Sequence, residues 1–122
     1  MERIGRDHRL RSTRDFARVK TSGTPFRGRH CVAVVFAVPG EPTRVGFVAS
    51  KRGVGNAVQR NRARRRLREI VRRRWERVPE TGYLMMFVAY RSALTALHQD
   101  LASDIERVLG SAGALATLPA GA

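Results

Sequence analysis

The sequence predicts an α/β fold, of the kind also termed α+β, in which helices pack against a single small sheet. Three stretches, 30–38, 44–50 and 83–90, are nearly continuous in apolar residues, many of them β-branched or aromatic. Two other stretches, 56–77 and 94–108, repeat apolar residues at the spacing of an α-helix. With a short helix before the first strand, the predicted order is αββαβα, and one additional short strand would fit.

The composition fits one domain with a polyanionic partner. Of the 122 residues 43% are hydrophobic, which suits a packed core, and the net charge is +14. All but two of the 24 basic residues are arginine. Such a charge favours a nucleic acid as partner, and an anionic membrane second. We place the domain at residues 1–112 and predict that residues 113–122 form a disordered tail.

Three features of the sequence predict a cytoplasmic protein. Cys31 is the only cysteine, so no disulfide can form within the chain, and we expect it to be a small buried hydrophobe. Residues 1–16 lack the apolar segment of a signal peptide. The longest apolar run, Cys31–Val38, is too short to span a bilayer.

The first helix is predicted to follow a flexible basic segment at residues 1–11. Ser12 can cap this helix, with Asp15 as the acidic residue three positions on. The helix should end near Gly23, and Thr24-Pro25 should break the pattern before the first strand.

The strands are expected to have both faces covered, because they are nearly continuous in apolar residues. After the strand at 30–38, Pro39–Pro42 should turn the chain. Arg44–Ser50 could then pair with that strand as a hairpin. The last strand, Tyr83–Tyr90, comes much later in the chain.

Capping and spacing define the two remaining helices. Asn56 can form a capping box with Gln59 at the start of the second helix. The last helix should begin near Ser92 or Thr95 and end at Gly110. Its apolar residues are Leu94, Leu97, Leu101, Ile105 and Val108.

The second helix has an apolar side and a basic side. The apolar stripe, which should pack on the sheet, consists of Ala63, Leu67, Ile70 and Val71. The opposite stripe consists of Asn61, Arg65, Arg68 and Arg72, with Arg64 beside it. Arginines one turn apart repel each other along this side, and we expect only Arg65 to face an acid, Glu69. Arginines in the first turns also oppose the helix dipole.

These two costs argue against an ordinary solvated face, and a bound phosphate would offset both. We therefore predict that the basic helix lies against the backbone of a nucleic acid. An arginine helix also suits the DNA major groove. No helix-turn-helix, zinc-ligand set or zipper repeat accompanies it, which favours RNA.

The segment Lys51–Arg68, KRGVGNAVQRNRARRRLR, resembles the signature of the bacterial ribonuclease P protein family. The matching residues are Gly55-Asn56-Ala57, Arg60-Asn61-Arg62, Arg65 and Arg68. The segments Leu10–Phe16 and Arg44–Phe47 and the closing helix also lie where that family has them. The resemblance covers about residues 8–110.

This resemblance implies an αβββαβα fold like ribosomal protein S5 domain 2, with a left-handed βαβ crossover. The general rule for such connections favours the right-handed form. The resemblance also implies a role as the accessory subunit of an endoribonuclease. In that family the protein joins a catalytic RNA, one protein per RNA, and the particle removes the 5′ leader of precursor tRNA. The RNA carries out the chemistry, with Mg²⁺ held mainly by RNA.

Site residues follow from the resemblance and from the basic stripe. The expected RNA contacts are Lys51, Arg52, Asn56, Arg60, Asn61, Arg62, Arg64, Arg65, Arg68 and Arg72. Phe16 is the expected aromatic of a cleft for the leader. Lys20 and Val34 stand where many members of the family carry an aromatic residue, so leader stacking is expected to be weaker or more electrostatic here.

No catalytic or metal-binding residues are predicted. His8, His30 and His98 are scattered along the chain, and Asp100 and Asp104 should lie on the solvated face of the last helix. Two other function classes stay open. A structural RNA binder of the ribosomal-protein kind would leave precursor tRNA cleavage unchanged, whereas a protein-only nuclease would cut RNA by itself.

Overall fold

A computed structural model describes residues 4–115 of the chain. Its helices and strands are, in order, α1 (Thr13–Ser22), β1 (Thr24–Arg27), β2 (Cys31–Pro42), β3 (Arg44–Val48), α2 (Ala57–Arg73), β4 (Thr81–Ala89) and α3 (His98–Ser111). Short 3₁₀ turns lie at Arg6–His8, Trp75–Arg77 and Arg91–Leu94. The order αβββαβα agrees with the one implied by the resemblance.

The four strands form one mixed sheet in the order β1-β2-β4-β3. The strand β2 is antiparallel to both of its neighbours, β1 and β4, and β3 runs parallel to β4. The expected hairpin between β2 and β3 is wrong, because β4 pairs with the whole Cys31–Val38 stretch and separates them. A parallel pair needs a long crossover, which α2 provides. The left hand of that crossover stays a prediction.

Three prolines lie in strands where a break or a turn was expected. Thr24-Pro25 does not break the pattern, since it begins β1 and Pro25 pairs with Val34. An edge strand tolerates proline because one side of its backbone needs no partner. The segment Pro39–Pro42 belongs to β2, but it contains a register shift between Val38 and Pro42 with Gly40 at φ 83°, and the strand ends at Pro42.

Apolar side chains cover both faces of the sheet, as expected. The helices α2 and α3 pack on one face around Phe87, Leu67 and Ile105. The helix α1 packs on the other face, where Val19 meets Leu84. Cys31 is fully buried, as predicted, and its burial raises the pKa of the thiol to about 12.

The N-terminal segment packs on the domain, so the expectation of a flexible segment at 1–11 is wrong from Ile4 onward. Ile4 and Leu10 are buried. The Leu10 N–H donates to the Val45 carbonyl at 3.0 Å, which attaches the segment to the edge of β3. Burial of two apolar side chains and pairing with the edge of β3 therefore hold the segment on the domain despite its positive charge.

The C-terminal part also differs from expectation. The last helix begins at His98, because Arg91–Leu94 forms a separate turn, and Leu97 is 65% exposed. Asp104, expected in solvent, is 4% exposed because its carboxylate accepts the N–H groups of Arg29 and His30, both at 2.8 Å.

The predicted tail at 113–122 has only its first residues in the described part. Ala114 is buried, and its N–H donates to Leu109 at 3.0 Å. The Tyr83 hydroxyl donates to the Gly113 carbonyl at 3.3 Å. Residues 116–122 lie outside the described residues.

Candidate nucleic-acid interface

The start of α2 is fixed by the predicted capping box. The Asn56 side chain accepts from the Gln59 N–H, and the Asn56 N–H donates to the Gln59 side-chain oxygen, both at 2.9 Å. Gly55 has φ 140°, and a Cβ at that position would overlap the Gln59 side chain. The side-chain oxygen of Asn56 therefore caps the N-terminus of α2, and Asn56 also lies on the surface predicted to contact RNA.

The predicted division of α2 into two sides is confirmed. Ala63, Leu67, Ile70 and Val71 are buried against the sheet. On the other side Asn61, Arg65 and Arg68 are exposed, and Arg72 is half-buried. A shallow depression of about 440 Å³ runs along this side, lined by Val58, Asn61, Arg64, Arg65 and Arg68.

Several of the predicted contact residues are oriented by the protein itself. Arg60 donates to the Gly55 carbonyl at 3.2 Å, and Arg62 donates to the Leu94 carbonyl at 3.4 Å. Arg64 donates to the Asn61 side chain. The Arg68 guanidinium lies 5.6 Å from the centre of the Phe47 ring. These bonds reduce side-chain freedom before any ligand binds, which lowers the entropic cost of binding.

Glu69 is the only acidic residue in α2, and its partners differ from the expected one. It pairs with Arg72 and Arg73 rather than with Arg65. The bonds from Arg72, then Arg73, lower the pKa of Glu69 to about 2. A carboxylate pairs best with a cation on its C-terminal side, since that order also suits the helix dipole. The acid therefore offsets part of the charge in the second half of α2 and leaves Arg65 without a carboxylate partner among residues 4–115.

Arg66 has a structural role that the sequence pattern did not reveal. It lies in the basic run, but it donates to the carbonyls of Ala93 and Ala96 and so ties α2 to the turn after β4. Burial, with repulsion from Arg62, lowers the pKa of Arg66. Helical spacing could have predicted that Arg66 lies between the apolar and basic stripes. It could not have predicted the carbonyl partners, because they lie 27 and 30 residues further along the chain.

Lys51 and Arg52 lie together in the exposed turn between β3 and α2. The Gly53 N–H donates to the Ser50 hydroxyl at 2.8 Å and closes this turn. Lys51 and Arg52 therefore lie just before the N-terminus of α2, and the N–H groups of a helix N-terminus favour phosphate oxygens.

Phe16 is half-buried under α1, at the edge of the core cluster on the second face of the sheet. Val34 belongs to the same surroundings, whereas Lys20 is exposed. The ring lies close to Gly46, where a Cβ would come within 3.1 Å of Phe16 Cζ. Phe16 is therefore both a packing residue and one side of a cleft.

Among residues 4–115, the histidine and acidic side chains do not cluster into a site. Nδ1 of His8 lies 2.6 Å from the Thr43 carbonyl, and Nδ1 of His30 lies 2.8 Å from the Ser92 hydroxyl. Within residues 4–115, no three His, Cys, Asp or Glu side chains are grouped so that they could hold a metal ion. In the same range no helix is both long and apolar enough to cross a membrane.

Comparison with known proteins shows the family to which the chain is similar. The family model described as Ribonuclease P matches residues 4–113. A ribonuclease P protein component of Symbiobacterium thermophilum is 40% identical over 109 residues, which cover 88% of this chain and 93% of that protein. One from Kocuria rhizophila is 39% identical over 105 residues, with coverages of 86% and 91%.

Solved structures confirm the α+β fold. An RNase P protein from Staphylococcus aureus superposes with a TM-score of 0.76 at 24% identity, covering 88% of this chain and 97% of that one. The RNase P protein from Thermotoga maritima gives a TM-score of 0.73 at 22% identity, with coverages of 84% and 96%.

Proposed function

The chain belongs to the family of ribonuclease P protein components, and we propose that it binds the catalytic RNA of that particle and the 5′ leader of precursor tRNA. It acts as an accessory subunit that assists removal of the leader, with one protein per RNA, in the cytoplasm. The RNA carries out the hydrolysis, and Mg²⁺ is held mainly by RNA.

The observation that carries this proposal is the charge of the exposed side of α2. Arg64, Arg65 and Arg68 line one depression together with Asn61. The only acid of the helix is engaged by arginines further along it. An uncompensated arginine surface of this kind is suited to phosphate oxygens, and guanidinium groups bind them in a bidentate manner.

The proposed RNA contacts extend from this depression to the start of the helix. Lys51 and Arg52 precede it, and Asn56, Arg60 and Arg62 lie in its first turns. Arg72 extends the same side toward the C-terminal half while also bonding to Glu69.

The proposed role in leader binding depends on Phe16. Its half-buried ring faces the second side of the sheet beside Val34. Of positions 16, 20 and 34, only position 16 carries an aromatic ring here. Lys20 adds a positive charge to the cleft. Leader affinity should therefore depend more on salt than it would in a cleft of three rings.

Reconstitution tests the proposal. We expect the purified chain, added to a bacterial ribonuclease P RNA and precursor tRNA, to restore correct 5′ cleavage at a Mg²⁺ concentration at which the RNA alone is inactive. A basic protein relieves the phosphate repulsion that Mg²⁺ would otherwise have to screen. The matched control is the triple variant Arg64→Ala, Arg65→Ala, Arg68→Ala, which should fail to restore cleavage.

Two outcomes would contradict the proposal. Binding to ribosomal RNA without any effect on precursor tRNA cleavage would indicate a structural RNA binder. Specific 5′ cleavage by the chain without RNA, lost when an acidic residue is replaced, would indicate a protein nuclease.

A further inference from the structure

Val58 is a large apolar side chain that lies in solvent on the exposed side of α2. It is 77% exposed, although valine is usually buried. Among residues 4–115, the other large apolar side chain with such exposure is Leu97, at 65%. Single exposed apolar residues are common on protein surfaces, so the argument for a function of Val58 depends on its surroundings.

Val58 lies in the same depression as several of the proposed RNA contacts. It is in the first turn of α2, and Asn61, Arg65 and Arg68 follow it at the spacing of residues on one side of a helix. Together with Arg64 these residues line the depression of about 440 Å³. The described lining therefore combines an apolar side chain, an amide and three arginines, and it contains no acid.

The position of Val58 is fixed before any ligand binds. Its neighbours Asn56 and Gln59 form the capping box through two bonds of 2.9 Å, which hold the backbone of the first turn. A β-branched side chain has one strongly preferred rotamer in a helix. The two γ-methyl groups therefore lose little conformational entropy when a ligand contacts them.

Asn61 is also oriented before binding. Its side-chain oxygen accepts a hydrogen bond from Arg64, which leaves the NH₂ group as a donor to a ligand. The depression thus has guanidinium groups for phosphates, an amide donor for an acceptor and methyl groups for an apolar surface. A nucleotide has all three features, because its phosphate is joined to a ribose and a base.

Two other occupants fit this depression less well than RNA. A second copy of the chain would place the same arginines opposite these, and like charges across an interface repel each other. An anionic membrane would need a wider apolar surface to insert, and this lining has one valine.

We propose that Val58 packs against the ribose or base of one nucleotide of the catalytic RNA, the phosphates of which lie on Arg64 and Arg65. The Asn61 amide donates to the same nucleotide. The depression then binds RNA by an apolar contact as well as by charge. This inference rests on the proposed function, and it adds a residue that is not among those matching the family signature.

Binding to the catalytic RNA at several salt concentrations tests the contact. Val58→Ala removes two methyl groups and should weaken binding roughly 3- to 10-fold at each concentration. The slope of log K against log salt should not change, because an apolar contact releases no counterion. The melting temperature should stay the same or rise, since alanine has a higher helix propensity than valine. A loss of affinity would therefore not reflect unfolding.

Leu97→Ala is the matched control, because it shortens an exposed apolar side chain that does not line the depression. It should change the affinity less than twofold. Wild-type affinity in Val58→Ala, a changed salt slope in that variant, or an equal loss in Leu97→Ala would overturn the proposal.

Cross-linking locates the nucleotide. Cys31, the one cysteine of the chain, is fully buried, so a thiol reagent added to the folded protein reacts with an introduced cysteine instead. Val58→Cys, labelled with a short photo-cross-linker, should cross-link to one or two adjacent nucleotides of the catalytic RNA in the assembled particle. Ser103→Cys, at an exposed position on α3, should not cross-link to them. Cross-links to precursor tRNA alone, or to the same nucleotides from both positions, would overturn the proposal.

An abasic substitution at the cross-linked nucleotide distinguishes base from ribose. If Val58 packs on the base, the wild type and Val58→Ala should bind the abasic RNA equally, whereas a contact to the ribose preserves the difference between them. A wild-type chain that restores cleavage, together with a Val58→Ala variant that binds as tightly, would overturn this inference alone. Failure of the wild-type chain to restore cleavage would instead overturn the proposed function.

Discussion

The guanidinium of Arg65 is exposed and is not bonded to an acid among residues 4–115, so it is available to a phosphate. It is exposed, and Glu69, the acid one turn away, is bonded to Arg72 and Arg73 instead. Interaction with a phosphate releases a counterion, so each such contact contributes to the salt dependence of RNA binding.

We expect Arg65→Ala to weaken binding to the catalytic RNA and to reduce the slope of log K against log salt by roughly 0.7–0.9. Equilibrium binding at four or five salt concentrations measures this slope. Arg29→Ala, an exposed arginine in the β1–β2 turn, serves as the control for net charge. Equal slopes for the wild type and Arg65→Ala would exclude a phosphate contact at this position.

Asp104 has a structural role, and its carboxylate is buried. It accepts two backbone N–H groups from the β1–β2 turn and pairs with Arg107 at 2.7 Å. Gly28 allows the carboxylate to come this close, because a Cβ there would lie 2.6 Å from its oxygen.

Asp104→Asn should lower the free energy of unfolding by about 1.5–3 kcal/mol, because an amide NH₂ group would face one of the two N–H donors. Urea unfolding measures the loss. Asp100→Asn, an exposed position on the same helix, should change the stability by less than about 0.5 kcal/mol. Equal losses for the two variants would show that the turn does not need the carboxylate.

Among the elements, the start of α2 combines a glycine in a conformation that other residues rarely adopt with a capping box. Gly55 at φ 140° is in a region that L-residues rarely adopt, and it allows the reciprocal bonds between Asn56 and Gln59. This arrangement sets where the helix begins and therefore where Arg60 and Arg62 lie relative to the turn before it.

Gly55→Ala should destabilise the fold by about 1–3 kcal/mol and increase amide hydrogen exchange in the first turn of α2. The matched control is Gly110→Ala, in α3, where a Cβ meets nothing within 4 Å. That substitution should be neutral or stabilise by up to about 1 kcal/mol, since alanine has the higher helix propensity. Unchanged exchange at Gln59 in Gly55→Ala would contradict the proposed strain.

At the scale of the whole molecule, the sheet has helices on both faces but α1 covers its second face only in part. Phe16, Val34 and Phe36 stay partly exposed there. This open part of the face is where we propose that the leader lies, and its occupancy can be tested without changing α2.

Phe16→Leu should reduce the affinity of the assembled particle for precursor tRNA more than for mature tRNA, because a lost stacking contact costs about 1–3 kcal/mol. Both affinities are measured with one precursor and its processed product. A drop in melting temperature with no change in the ratio of the two affinities would mean that Phe16 acts only in packing.

Much of the fold followed from periodicity. The apolar stripe of α2, the capping box and the cap at Ser12 could be predicted because they depend on residues within one or two turns of each other. The positions of β2, β3 and β4 were also predicted from their apolar runs. Strand pairing was not, because the hairpin of β2 with β3 and the observed pairing with β4 place the same apolar residues in the interior.

The sequence by itself determined that this protein has one strongly basic helix with an apolar side, and its motif identified the family. Only the tertiary structure decided which charges remain available. Glu69 bonds Arg72 and Arg73, Arg66 bonds distant carbonyls, and Asp104 becomes buried. The physical reason is that local periodicity sets the side of a helix on which a residue lies, whereas its partners come from segments that only folding brings within hydrogen-bond distance.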